Sequence, residues 1–151
     1  MIVHSGVRTT EPIEVMFKEL KPGEDENKAI QELLGQISGD TEYSLPRYDH
    51  SILVYYESPI NPHARREIMI PISKKYKDIK TKIHPSIRAA FVVYRGTDSP
   101  HETYYKLLED YIEKQNLEKY KDIYSIEIIY VPEDLDFVDY TIEIMLPVKK
   151  E

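Results

Sequence analysis

The chain has 151 residues, 41% of them hydrophobic and 31% charged, enough for one domain that buries a core of its own. It contains no cysteine, which excludes a disulfide framework, a thiolate metal site and a Cys nucleophile and fits a reducing, cytoplasmic setting. A net charge of -7 repels phosphate backbones, so no direct nucleic-acid partner is expected, and the longest apolar run, Ala89 to Val93, is too short to span a membrane.

Met1 to Pro12 carries no apolar core segment, so the first strand is placed at Ile13 to Leu20, where Ile13, Val15 and Phe17 alternate with Glu14, Met16 and Lys18. The turn Lys21-Pro22-Gly23 and the acids Glu24, Asp25 and Glu26 then open a helix. Its apolar stripe is Ile30, Leu33, Leu34 and Ile37, and Gly39 stops it. A loop with Pro46 leads to a strand at Ile52 to Tyr56, and Pro59 and Pro62 separate that from a strand at Glu67 to Ile72. Ser73 to Pro85, rich in Lys and Asp, reads as a linker. Beyond it come a strand at Ile87 to Tyr94, a turn through Gly96 and Asp98-Ser99-Pro100, a helix at His101 to Gln115, a strand at Tyr124 to Tyr130, a loop at Val131 to Asp139 and a strand at Tyr140 to Val148.

The second half repeats the first. At an offset of 74, Ile13 falls on Ile87, Phe17 on Phe91, the helical set Ile30, Leu33, Leu34, Ile37 on Tyr104, Leu107, Leu108, Tyr111, and Tyr56 on Tyr130. At an offset of 76, Glu67 to Pro71 falls on Glu143 to Pro147. A constant offset with one short slip is the trace of a duplication. Residues 1–151 therefore form a single domain of two pseudo-symmetric strand-helix-strand-strand repeats, about 13–72 and 87–148. The fold class is α+β, an antiparallel sheet with helices on one face and a ligand groove between the halves.

In the last strand Ile142, Ile144 and Leu146 share one side, while Thr141, Glu143 and Met145 share the other; Ile68 and Ile70 are opposed to Glu67 and Met69 in the same way. The aliphatic rows suit packing under the helices, which sends both Glu-x-Met faces into the groove. Each glutamate reads either as a carboxylate on a solvated strand face or as one desolvated among tyrosines and a methionine, able to hold a cation or act as a base. Tyr56 and Tyr130 are either core filling or ring faces for a flat or cationic ligand. Tyr55 lies on the other side of the same strand, and the alternation there does not say which of the pair faces the groove. Met69 and Met145 suit an adaptable wall, and Tyr94 is a weaker candidate. The five histidines show no ligand spacing, and no Gly-rich phosphate loop is present.

The run Ile87-Arg88-Ala89-Ala90-Phe91-Val92-Val93-Tyr94-Arg95-Gly96, the helix with Tyr105, Leu108 and Tyr111, and the ending Thr141-Ile142-Glu143-Ile144-Met145-Leu146-Pro147-Val148 resemble the GyrI-like small-molecule-binding domain. That domain is the effector-binding part of AraC-type and multidrug-responsive transcription regulators and shares a duplicated SHS2 fold with SOUL haem-binding proteins. The resemblance implies a groove for hydrophobic, often cationic compounds and a buried acid in the final strand, here Glu143. Nothing resembles the SOUL haem-ligating pattern, so no cofactor is expected. The chain has no room before Ile13 for a helix-turn-helix and resembles the stand-alone members.

Three functions are weighed. One is a small-molecule-binding protein for lipophilic, often cationic compounds, using Glu143 and Glu67 with Tyr130, Tyr56, Tyr55, Tyr94, Met145 and Met69. Another is a hydrolase of strained electrophilic molecules, as some stand-alone relatives are, with Glu143 as general base. The third is an inhibitor acting on a protein partner such as gyrase. Duplicated halves seldom stay equal in function, and the resemblance, through the Glu-Ile-x-x-Pro-Val ending, implies that Glu143 rather than Glu67 carries the larger part.

Overall fold

The computed structural model describes residues 2–38, 50–72, 78–95, 101–130 and 141–150. Gly39, the Pro46 loop, the turn at 96–100 and the loop at 131–139 lie outside them. In chain order the elements are β1 (Ile2–Thr9), β2 (Ile13–Leu20), α1 (Glu26–Ser38), β3 (His50–Tyr55), β4 (Arg66–Pro71), β5 (Thr81–His84), β6 (Arg88–Arg95), α2 (His101–Lys114), β7 (Ser125–Tyr130) and β8 (Thr141–Pro147). The strand-helix-strand-strand order expected of each half is present, and each half gains a leading strand. β1 lies ahead of the position expected for the first strand, in the segment without an apolar core run, and β5 lies in the segment read as linker. Both are edge strands, and their polar sequences, with Arg8 and Lys82 inside them, hide the alternation that marks a half-buried strand.

All eight strands form one antiparallel sheet in the order β1-β6-β8-β7-β3-β4-β2-β5. The leading strands are exchanged: β1 of the first half pairs with β6 of the second, and β5 of the second pairs with β2 of the first. Both registers obey the duplication. Ile13 stands opposite His84, and the residues 74 positions from each, Ile87 and Thr10, are joined by a backbone bond of 2.8 Å from Thr10 N–H to the Ile87 carbonyl.

Connectivity forces this sheet to curl. β1 and β2 sit near opposite edges, yet only Thr10-Glu11-Pro12 joins them. That connection reaches at most about 14 Å, whereas a flat sheet separates the two strands by roughly 29 Å. The edges must therefore approach each other over one face. That face holds a cluster drawn from six strands, including Val15, Ile52, Met69, Phe91, Ile126 and Met145, all nearly solvent-free. The opposite face carries the helices, with Met16, Leu53, Ile68 and Ile70 under α1 and Ala90, Val92, Ile144 and Leu146 under α2.

Helix ends are set locally. The Asp25 carboxylate accepts from Asn27 N–H at 2.9 Å and caps α1, with Glu26 in its first turn. α2 closes through Asn116 in the left-handed region at φ 54, where Asn116 N–H donates to the Glu113 carbonyl and Leu117 N–H to the Ile112 carbonyl. The two helices are not rotated alike. α1 buries Ala29, Ile30 and Leu33, while α2 buries Tyr104 and Leu108 with Tyr105 partly covered, a set one residue further on than the strand offset gives. Leu107, aligned with Leu33 by sequence, is consequently 40% exposed. Leu108→Ala is expected to cost about 2–5 kcal/mol and Leu107→Ala well under about 1 kcal/mol, as read by urea unfolding; equal costs would contradict this rotation.

Candidate functional site

The curled face brings two copies of one constellation together. On the second-half side, Glu143 from β8 is 1% exposed and receives a bidentate guanidinium from Arg8 of the exchanged strand β1. Arg8 Nη2 donates to both carboxylate oxygens at 2.7 Å and Nε to one at 3.0 Å. The Tyr130 hydroxyl donates to Glu143 Oε1 at 3.0 Å, and the Arg8 guanidinium lies 5.3 Å from the Phe91 ring centre. On the other side Glu67, also buried, receives Lys82 Nζ of β5 on both oxygens at 2.7 Å. The Tyr56 hydroxyl donates to Glu67 at 2.8 Å, and Lys82 Nζ lies 4.3 Å from the Phe17 ring centre.

The correspondence is residue for residue: Arg8, Phe91, Tyr130 and Glu143 match Lys82, Phe17, Tyr56 and Glu67. The glutamates, tyrosines and methionines were legible in the sequence, but the two cations were missed. Extending the offset of 74 backward into the first twelve residues places Arg8 on Lys82, and that pairing of basic residues was the available signal. Burial, followed by the neighbouring Glu143 charge, pushes the Tyr130 hydroxyl up to about 12, so it remains a donor at neutral pH. Tyr56 is raised likewise, by burial first and then by its bond to Glu67.

Between the halves lies a cavity of about 250 Å³. Its lining straddles the pseudo-two-fold, since it takes both members of the equivalent pairs Ile52/Ile126 and Thr10/His84. It then leans toward the second half. Arg8, Tyr130 and Met145 line it together with Ile13, His50 and Ile128, whereas Lys82, Tyr56 and Met69 do not. Glu143 itself stands behind Arg8 and Tyr130. Two larger depressions, of about 460 and 380 Å³, lie elsewhere, at 85–88 with Tyr120 and 148–150, and beside the start of α1. Neither contains a groove acid.

Two sequence candidates belong to the helix face. Tyr94 is fully buried beneath α2, stacked on Tyr104 at 3.9 Å with its hydroxyl 2.7 Å from His101 Nδ1. Tyr55 packs with the α1 cluster and lines the depression beside that helix, so Tyr56 is the member of the pair that faces the groove. The strand period explains both placements, because each is an odd number of residues from a groove-facing neighbour.

The helix face also carries an acid the sequence reading passed over. Glu127 of β7 is 6% exposed, receives the Tyr105 hydroxyl at 2.6 Å and has His101 Nε2 at 3.6 Å. Burial raises its carboxyl above the ordinary range, against the opposing pull of the Tyr105 bond and His101. A raised folded-state pKa means that the folded chain holds this proton longer than the unfolded one, so the contribution favours folding at low pH and is lost as pH rises through the raised value. Glu127→Gln is expected to be more stable than the parent at about pH 8 and to lose that advantage toward about pH 4, measured by urea titration across pH. A gain that does not depend on pH would refute the assignment.

Among the described residues no group of three His, Asp or Glu is placed to hold a metal ion, and no helix is long and apolar enough to cross a membrane.

No protein-family model and no curated protein matches the chain. Solved structures do. The EcmrR C-terminal domain superposes with a TM-score of 0.74 at 16% identity over 98% of both chains, and within an EcmrR–DNA complex the match spans 58% of the longer chain. A hydrolase from Listeria innocua gives a TM-score of 0.64 at 10% identity, covering 96% of this chain and 91% of that one. SAV2435 bound to tetraphenylphosphonium gives 0.50 at 10% identity, covering 97% and 94%. At these identities the likeness establishes the fold alone, and that fold is consistent with the GyrI-like one that the sequence resemblance implied.

Proposed function

We propose that this protein binds a lipophilic small molecule in the cavity between its halves, as an effector-binding domain does. The observation that carries the reading is the cavity itself, walled by Ile52, Ile126, Ile128 and Met145 and edged by the Arg8–Glu143–Tyr130 group. Apolar walls supply affinity and a few fixed polar groups supply orientation. The fold shared with EcmrR and with tetraphenylphosphonium-bound SAV2435 supports it. In this chain a ligand cation reaches Glu143 only by displacing Arg8, so lipophilicity rather than positive charge is the property assigned to the ligand.

The hydrolase alternative has the Listeria innocua structure in its favour. Against it, the Glu143 oxygens that a general base needs free are engaged by Arg8 and Tyr130. A thermal-shift screen with lipophilic dyes and cyclopropane-containing compounds, followed by product analysis of the hits, separates the two: stabilisation without turnover supports binding, turnover supports hydrolysis, and no stabilisation by any compound counts against both. Glu143→Gln removes the anchor that holds Arg8 and Tyr130 at the wall, so the affinity of a hit is expected to fall about tenfold, with little change in Glu67→Gln. Equal effects of the two substitutions would remove the distinction between the halves.

A further inference from the structure

We propose that His84 is the polar anchor of the cavity and that the site takes an uncharged apolar molecule bearing a hydroxyl or carbonyl group. This rests on the binding reading above and specifies its ligand.

His84, at the end of β5, is 7% exposed and lines the cavity, yet among the described residues its ring makes no hydrogen bond. No buried side-chain nitrogen or oxygen among the described residues lacks a partner, so the His84 ring nitrogens are reached by solvent through the cavity and can exchange that water for a ligand group. The duplication sharpens the point. Thr10 holds the equivalent position in the other half, and it is fully satisfied there: its hydroxyl accepts from Ile87 N–H at 2.9 Å and donates to the Ile87 carbonyl at 3.3 Å. Of this pair only His84 offers an open hydrogen-bonding group to the cavity.

The charge of the ligand follows from the charges around it. Glu143 is neutralised by Arg8 and Glu67 by Lys82, and the desolvated His84, with Lys82 nearby, is kept neutral to a lower pH than a free imidazole. Glu11 also lines the cavity, but it is exposed and screened by solvent; the two compensated pairs and the neutral imidazole leave little field inside for an ionic ligand, which would also forfeit its hydration on entering. A neutral imidazole provides one donor and one acceptor, which matches a hydroxyl or a carbonyl. The volume of about 250 Å³ lies just below the usual range for drug-sized sites, so the body is small, on the order of two fused rings.

Three probes with one body test this: 2-naphthol, 2-naphthoate and 2-naphthylmethylammonium, titrated calorimetrically at neutral pH. 2-Naphthol is expected to bind tightest. His84→Phe, which keeps an aromatic ring in place, is expected to weaken it about tenfold, while His84→Gln, which keeps a donor and an acceptor, retains most of the affinity. Thermal melts confirm that both variants are folded. If 2-naphthol binds His84→Phe as it binds the parent, or if either ion binds the parent more tightly, the inference is overturned while groove binding stands. Binding of none of the three overturns the inference together with the groove reading at this ligand size.

Discussion

Arg8→Met is expected to destabilise the chain by about 3–5 kcal/mol, the cost of leaving a buried carboxylate without its counter-ion. Glu143 is 1% exposed and depends on three guanidinium contacts with Arg8. Once they are removed, only the Tyr130 hydroxyl remains, and one neutral donor does not replace a cation in a desolvated site. Lys82→Met is the internal control, since Glu67 keeps 7% exposure and the Tyr56 bond, and should cost less. Adding Glu143→Leu to Arg8→Met should recover most of the loss, because an apolar pair of similar volume carries no stranded charge. Urea unfolding of the four variants measures this, and an Arg8→Met midpoint equal to the parent's would mean that the ion pair contributes nothing.

A chain beginning at Thr10 is expected not to fold on its own. Without β1 the second half loses the partner of β6, Glu143 loses Arg8, and the Phe91 ring loses the guanidinium and the His4 ring beside it. An exposed β6 edge rich in apolar residues is also a template for aggregation. Together these losses rival the whole stability of a domain this size, about 5–15 kcal/mol. Because β1 docks on the far half rather than on its own, a synthetic peptide of residues 1–11 should restore the fold in trans, measured as recovery of a cooperative melt. A truncated chain that melts like the parent would show that β1 is dispensable.

The duplication, the six strands after Pro12 outside the linker, both helices and the inward direction of both Glu-x-Met faces were legible in the sequence. Period-2 and period-3.6 patterns arise from packing against a neighbouring element, and residues such as Ile68, Ile70, Ile144 and Leu146 record that packing wherever they occur. The edge strands β1 and β5 left no such record, because an edge is half solvated and its inward residues here are Arg8, Lys82 and His84.

The choice between Tyr55 and Tyr56 was equally closed to sequence, since both faces of β3 are buried and the alternation vanishes. Sequence by itself determined which residues share a face, for that depends only on backbone period. Tertiary structure decided which faces meet, and with them the partners of each groove acid. Exchange of the leading strands carries Arg8 to Glu143 across 135 positions of chain, and only the curl of the whole sheet brings His84 from the opposite edge to the same cavity.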